Sequence, residues 1–326
     1  MVSQNNFFEL TPQHILEAVE AIGFRSTGRC FALNSLENRV YEVEMEDENR
    51  FVGKFYRPNR WTKEAILEEH GFLGDLAKAE IPVAQPMVMG NSSTIGKTAS
   101  GILFAVFPKV RGRVPQELDQ QQYLQLGRFL GRLHTVGASK SAQHRMALTP
   151  QTYGLAPLKF LDEKGFLPME LASQYKAKVI ELVDLIAPWF ENIHVQRIHG
   201  DCHMGNLLYN GDGPFFLDFD DMVIGPPVQD IWLIAGGSDE QGKRDREIFL
   251  KGYCEMREFE MASLRLIEPL RALRFIHYSA WIAKRWDDPA FPRAFPEFNT
   301  YKYWLSELQD LQKQLDLIRQ GNCHQN

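Results

Sequence analysis

His199-Gly-Asp-Cys-His-Met-Gly-Asn206, followed by Leu217-Asp-Phe-Asp-Asp221, is the stretch whose reading decides the fold. Short apolar pieces flank its polar clusters: Val195 to Ile198, Leu207 to Tyr209 and Phe215 to Leu217. An apolar strand therefore leads into each carboxylate position. Asp201 and Asn206 share one loop, and Asp218 follows after a short hairpin. Phosphoryl transfer needs a carboxylate for the acceptor hydroxyl and hard oxygen ligands for magnesium bridging the phosphates. This set offers one carboxylate to the acceptor, an amide oxygen to the metal, and a second carboxylate to the metal.

Protein kinases use the same order, with a catalytic-loop Asp, an Asn and then the Asp of DFG. An Asp-Asn loop alone is ordinary turn chemistry, because both side chains bond their own backbone; the complete ordered set argues for more. A metal hydrolase ligated by His199, Asp201 and His203 is the competing chemistry. Imidazole suits zinc or iron, whereas Asn206 and Asp218 suit magnesium, and no further histidine cluster completes such a site. The histidines read as support, His199 bracing the loop and His203 facing the acceptor side. Asp220 and Asp221 can also reach a metal, but Asp218 directly follows the apolar strand. Asp230 reads as an N-cap.

Working back toward the amino terminus, Thr11-Pro12 opens a helix that Gly23 closes. Residues 29–34, 39–46 and 50–56 read as strands, the last two joined by the polar turn Glu46 to Asn49. Thr62 can cap a long helix to Lys78, Ile81 to Pro86 breaks it toward a further strand, and 101–107 has the continuous apolar character of a buried central strand. A kinase needs a cation on the α/β-phosphates, held by a carboxylate. Lys54 is the only lysine of the third strand, and Glu64, Glu68 or Glu69 on the following helix can face it. No GxGxxG joins the first two strands. Ser35 and Asn38, in Leu33 to Arg39, can instead let backbone amides and a hydroxyl approach the phosphates. Segment 104–108 can serve as the hinge for adenine.

After Lys109-Val-Arg-Gly-Arg113, helical patterns dominate over 119–136, 169–187, 228–236, 243–258, 262–286 and 300–318. The expected fold is α+β, a two-lobed protein-kinase-like fold. A small antiparallel β-sheet lobe with one long helix, 1–108, would bind nucleotide; a larger, mainly helical lobe, 109–326, would carry catalysis and the acceptor. The 326 residues are 44% apolar and 24% charged with net charge −6, which speaks against nucleic-acid binding. Cys30, Cys202, Cys254 and Cys323 form no CxxC pair and read as reduced thiols. The amino terminus lacks basic and apolar signal regions, and no apolar run approaches the roughly 20 residues of a spanning helix, so a cytoplasmic location without membrane contact is expected. Within 270–304, basic residues outweigh acidic ones among many aromatics, which counts against a polycationic acceptor. Most of those aromatics read as core.

Taken with Asn34-Ser-Leu-Glu-Asn-Arg-Val-Tyr41, Val52-Gly-Lys-Phe-Tyr-Arg-Pro58, Leu67-Glu-Glu-His70, Ile267-Glu-Pro-Leu-Arg-Ala272 and Arg285-Trp-Asp-Asp-Pro-Ala-Phe-Pro292, the central cluster resembles the aminoglycoside phosphotransferase and choline kinase group. Within it, nearly the whole chain resembles the bacterial stress response kinase A family. The resemblance implies ATP- and magnesium-dependent serine/threonine protein kinase activity, autophosphorylation, protein substrates and a role in stress survival. A small-molecule hydroxyl kinase is the alternative. By position it implies Asp201 as base and Asn206 and Asp218 as magnesium ligands. It also implies Ser35 at the ATP phosphates, Lys54 as the phosphate-contacting lysine and Glu69 as its partner. A monomer is expected. The glycine-rich loop, DFG and APE of eukaryotic protein kinases are absent.

Overall fold

The structure, a computed structural model, describes Phe7 and residues 10–90, 92–211 and 213–323, without the side chains of 322 and 323. The Cys323 side chain thus lies outside the described residues, and Cys30, Cys202 and Cys254 are in no disulfide among them. Among the described residues the chain runs α1 (Pro12–Glu20), β1 (Ser26–Ala32), β2 (Arg39–Met45), β3 (Arg50–Phe55), α2 (Lys63–Lys78), β4 (Gly96–Lys97), β5 (Leu103–Pro108) and α3 (Gln120–Ala138). It continues with α4 (Ala156–Glu163), α5 (Met169–Ile186), β6 (Gln196–Ile198), β7 (Leu207–Asn210), β8 (Gly213–Phe216), β9 (Val223–Gly225) and α6 (Val228–Ala235). The last elements are α7 (Glu240–Met256), α8 (Ile267–Ala283), α9 (Ala290–Ala294) and α10 (Tyr301–Cys323).

Two compact units result. The first is Met1–Arg145 with His199–Met222 and Glu247–Arg257; the second is Met146–Ile198, Val223–Arg246 and Glu258–Asn326. In the first, β1 to β5 form an antiparallel sheet in the order β1-β2-β3-β5-β4. The caps act as the sequence predicts: Thr11 accepts from His14 N with Pro12 at N1, and Thr62 accepts from Ala65 N. Phe51 and Phe55 share a core with Ile15, Ala18 and Val19 of α1. Strand alternation then puts Lys54 on the opposite face, where Tyr56, Ile66 of α2 and Ala105 form a second cluster. The strand expected soon after Pro86 is only the two-residue β4.

The second unit is mainly helical and includes two helices with no counterpart in the sequence reading, α4 and α9. Pro157 and Pro289 stand at their starts, where a proline is tolerated but disguises the helix as a loop. Asp230 is not an N-cap: Pro227 holds that position, and Asp230 is fully buried in the first turn of α6. On α10, Glu307 accepts from Ser279 Oγ of α8 at 2.8 Å, and Ser279 Oγ lies 2.9 Å from Tyr303 OH. Burial pushes the Glu307 carboxyl up to about 7.

Two predictions follow from this packing. In the first unit, a Cβ on Gly127 of α3 would stand 2.0 Å from Phe249 O, and one on Gly252 of α7 2.1 Å from Leu124 O. Gly127→Ala should therefore lower stability by about 3 kcal/mol in urea unfolding, since backbone must move to admit a methyl. For Glu307, the folded value lies above the ordinary 4.5, so the contribution of its protonated form is complete below pH 4.5 and lost as pH rises through 7. The stability of Glu307→Gln relative to wild type should therefore rise by about 2–3 kcal/mol between pH 4.5 and 7.5, read by urea unfolding at each pH.

Candidate active site

Strand β3 delivers Lys54 into a ring of carboxylates. Its Nζ lies 2.8 Å from Asp218 Oδ1, 3.3 Å from Asp220 Oδ1 and 3.8 Å from Glu69 Oε1. Burial opposes the charge on Lys54, but these three anions outweigh it and hold its pKa well above the ordinary lysine value. Of the three candidate glutamates, Glu69 lies on the buried face of α2 with Ala65, Ile66, Phe72, Leu73 and Leu76. Glu68 instead accepts from Gln143 N and His144 N. Burial pushes Glu69 up to about 6, against the pull of Lys54 and Arg145.

Asp220 is the hub. Asn38 Nδ2 donates to its Oδ2 at 3.2 Å, Arg60 bonds it and Asp221 with two prongs, and Arg145 Nη1 donates to its carbonyl at 2.6 Å. Burial works against this carboxylate, yet Arg60, Lys54 and Arg145 keep its pKa well below the usual range. Arg145 is itself fully buried. It donates to Ala65 O at 2.8 Å and Glu69 Oε2 at 3.0 Å, and its guanidinium lies over the Trp61 ring. The turn 33–38 is pinned as well. Arg57 donates to Leu36 O and Glu37 O at 2.9 Å each, and Asn38 Oδ1 accepts from Arg57 N. Both ends of the Asn38 amide are thus engaged within the protein. Ser35 lies half-buried in the same turn and makes no hydrogen bond with these side chains.

The second loop is tied to the first. His199 is buried, with Nε2 2.8 Å from Leu217 O, its ring against Phe219, and Nδ1 accepting from Asp201 N. Asn206 Nδ2 donates to Asp201 O at 3.0 Å, and Leu217 N donates to Asn206 O at 2.8 Å. His203 Nε2 stands 3.3 Å from Asp201 Oδ2. Asp218 adopts the left-handed conformation, φ 58°, with 53% of its side chain exposed. The turn Phe219–Asp221 thus leaves Asp218 open to solvent and seals Asp220 within.

With its nitrogen spent on Asp201 O, Asn206 retains an amide oxygen, and Asp218 retains carboxylate oxygen. Such hard donors suit magnesium rather than a softer metal. Among the described residues no group of three or more His, Cys, Asp and Glu is arranged to hold a metal alone. Arg57 enters sequence reasoning only inside the 52–58 motif, and Arg60 and Arg145 escape it. Their only trace in the sequence is the acidic surplus at 218–221, which calls for countercharge.

The sequence profile of the phosphotransferase enzyme family matches residues 31–267. Stress response kinase A of Escherichia coli (strain K12) is 39% identical, over 96% of this chain and 95% of its own. Serine/threonine protein kinase RdoA of Salmonella typhimurium (strain LT2) is 38% identical over 91% of this chain and 90% of its own. Among solved structures, the amicoumacin kinase hAmiN, in complex with AMP-PNP, Ca2+ and Ami, superposes with TM-score 0.72 at 21% identity, covering 91% of this chain and 93% of its own. A microcompartment-associated aminopropanol kinase superposes with TM-score 0.69 at 18% identity, covering 93% and 98%.

Removing the hub charge leaves three buried or half-buried cations undercompensated. Asp220→Ala should cost about 3–5 kcal/mol in urea unfolding, far more than Asp221→Ala at the exposed end of the same turn.

Proposed function

The chain belongs to the phosphotransferase enzyme family and, within it, groups with the stress response kinase A proteins, and on that basis we propose that it is an ATP- and magnesium-dependent serine/threonine protein kinase. The observation that supports this reading best is the convergence of Lys54, Glu69 and Asp218 beside the Asp201–Asn206 loop, in a chain matched over 96% of its length by a relative named stress response kinase A and over 91% by one named a serine/threonine protein kinase. In this reading it phosphorylates proteins, itself included, in a bacterial stress response, and works as a cytoplasmic monomer. Among the described residues no helix is long and apolar enough to cross a membrane.

Residues 1–108 form the nucleotide lobe and 109–326 the catalytic and acceptor lobe. Lys54 meets the ATP phosphates, and Glu69 and Arg145 keep it in place. Ser35 approaches the phosphates from the 33–38 turn, whose conformation Asn38 fixes. Asn206 and Asp218 would hold magnesium, which would neutralise charge on the phosphates. Asp201 accepts the proton of the serine or threonine hydroxyl as that hydroxyl's oxygen bonds the γ-phosphorus. The bond from that phosphorus to the β–γ bridging oxygen breaks, and ADP departs with the electron pair.

Incubation of the purified protein with γ-labelled ATP and magnesium tests the acceptor. Label on the chain itself or on dephosphorylated casein supports the reading; label only on choline, homoserine or an aminoglycoside overturns it in favour of a small-molecule kinase. Asp201→Ala should lower transfer about 10²–10⁴-fold while ATP binding persists, and retained transfer removes Asp201 from the role of base.

A further inference from the structure

We propose that His70 is a positioning residue for Lys54, acting through the ring of Tyr56. This rests on the reading of Lys54 as the lysine that meets the ATP phosphates.

Tyr56 stands two residues after Lys54, just past the end of β3, and side chains at that spacing share a face. Lys54 Nζ lies over the Tyr56 ring, 5.3 Å from its centroid. The tyrosine is tied at both ends. Its backbone N donates to Leu103 O of β5 at 2.9 Å, and its OH lies 3.0 Å from His70 Nε2. The other nitrogen of the imidazole, Nδ1, lies 2.7 Å from Thr94 Oγ1. A neutral imidazole donates from one nitrogen and accepts at the other, and a hydroxyl can do either. The chain Tyr56–His70–Thr94 therefore closes whichever way its hydrogens point. Burial, with the cations Lys54 and Arg145 near, holds His70 down at about 3, so the ring is uncharged at neutral pH. Tyr56 and His70 are both buried, and loss of either bond would strand a polar atom away from water.

His70 directly follows Glu69 on α2, so one turn of that helix reaches the lysine twice. Glu69 does so directly, its Oε1 3.8 Å from Nζ, and His70 does so by way of the tyrosine ring. The nearest partner of Lys54 is Asp218, which is half-exposed and in the proposed reaction would serve magnesium. An aromatic face attracts an ammonium without offering oxygen for which a metal would compete. The bond from the hydroxyl to His70 fixes the far end of that ring, and through it the place where the ammonium rests.

His70→Leu removes the partner of Tyr56 OH, whereas His70→Gln leaves an amide to meet it. Calorimetry with ATP and magnesium should show the Kd for ATP raised about tenfold in His70→Leu and within about threefold of wild type in His70→Gln. In a Lys54→Met background, His70→Leu should change that Kd less than about twofold, because the effect runs through the lysine. If His70→Leu does not fold, Thr94→Val takes its place in both backgrounds, with about a threefold rise expected only where Lys54 is present. Equal losses with and without Lys54 assign the histidine to packing alone and overturn the proposal. A His70→Gln as impaired as His70→Leu overturns it too. If Lys54→Met binds ATP and transfers label from γ-labelled ATP as wild type does, the lysine assignment fails and this inference with it. An impaired Lys54→Met beside a normal His70→Leu overturns only the positioning role.

Discussion

A carboxylate sealed from water costs several kcal/mol unless cations and donors surround it, and Asp220, 3% exposed, imposes that requirement on the whole first unit. The surrounding groups come from four separate places in the chain: Asn38 from the first turn, Lys54 from β3, Arg60 from the segment before α2, and Arg145 from beyond α3. Each brings its element with it. Arg145, bonded at once to Ala65 O, Glu69 and Asp220 O, fixes α2 against the 218–221 turn. Asn38 and Arg57 do the same for the turn 33–38, which has no glycine-rich sequence to shape it. Lys54, brought to this face by strand alternation, adds its charge at 3.3 Å from Asp220.

Local periodicity carried most of the fold. The 63–78 helix and its Thr62 cap, the three first strands and the α+β class were legible because each rests on signals within a few residues. The misses have equally local causes. Pro157 and Pro289 hide the starts of α4 and α9, and Asp230 follows two prolines that suggest a cap one turn too late. For the candidate site, the order of residue types points to Lys54, Asp201, Asn206 and Asp218 and leaves the partner glutamate open among Glu64, Glu68 and Glu69. It passed over Arg60 and Arg145 because an arginine 75 residues from its carbonyl partner leaves no local pattern. Family spacing, rather than any helix pattern, separated Glu69 from Glu68; the physical difference is that Glu68 is spent on Gln143 N and His144 N.

Most of the aromatics at 278–304 are core, as their sequence pattern suggests. Trp281 packs against Phe291 and Phe295, and Phe298 against Trp286, Tyr303 and Trp304, with Phe291, Phe298 and Trp304 buried. These are mutual contacts of a hydrophobic interior, and a cage for a cationic ligand would need open ring faces instead.

Asp218 and Asp220 show why residue type alone cannot distribute roles within a motif. They are two positions apart, both within reach of Lys54, and chemically identical. The left-handed backbone at Asp218, a conformation that aspartate tolerates better than most residues, starts a turn in which Phe219 enters the interior against His199 and Phe72. That insertion leaves one carboxylate half in water, where oxygen can be offered to a metal, and drives the other inside, where every lone pair must answer to the protein. Burial of one phenylalanine thus separates a half-exposed aspartate from one sealed within the protein.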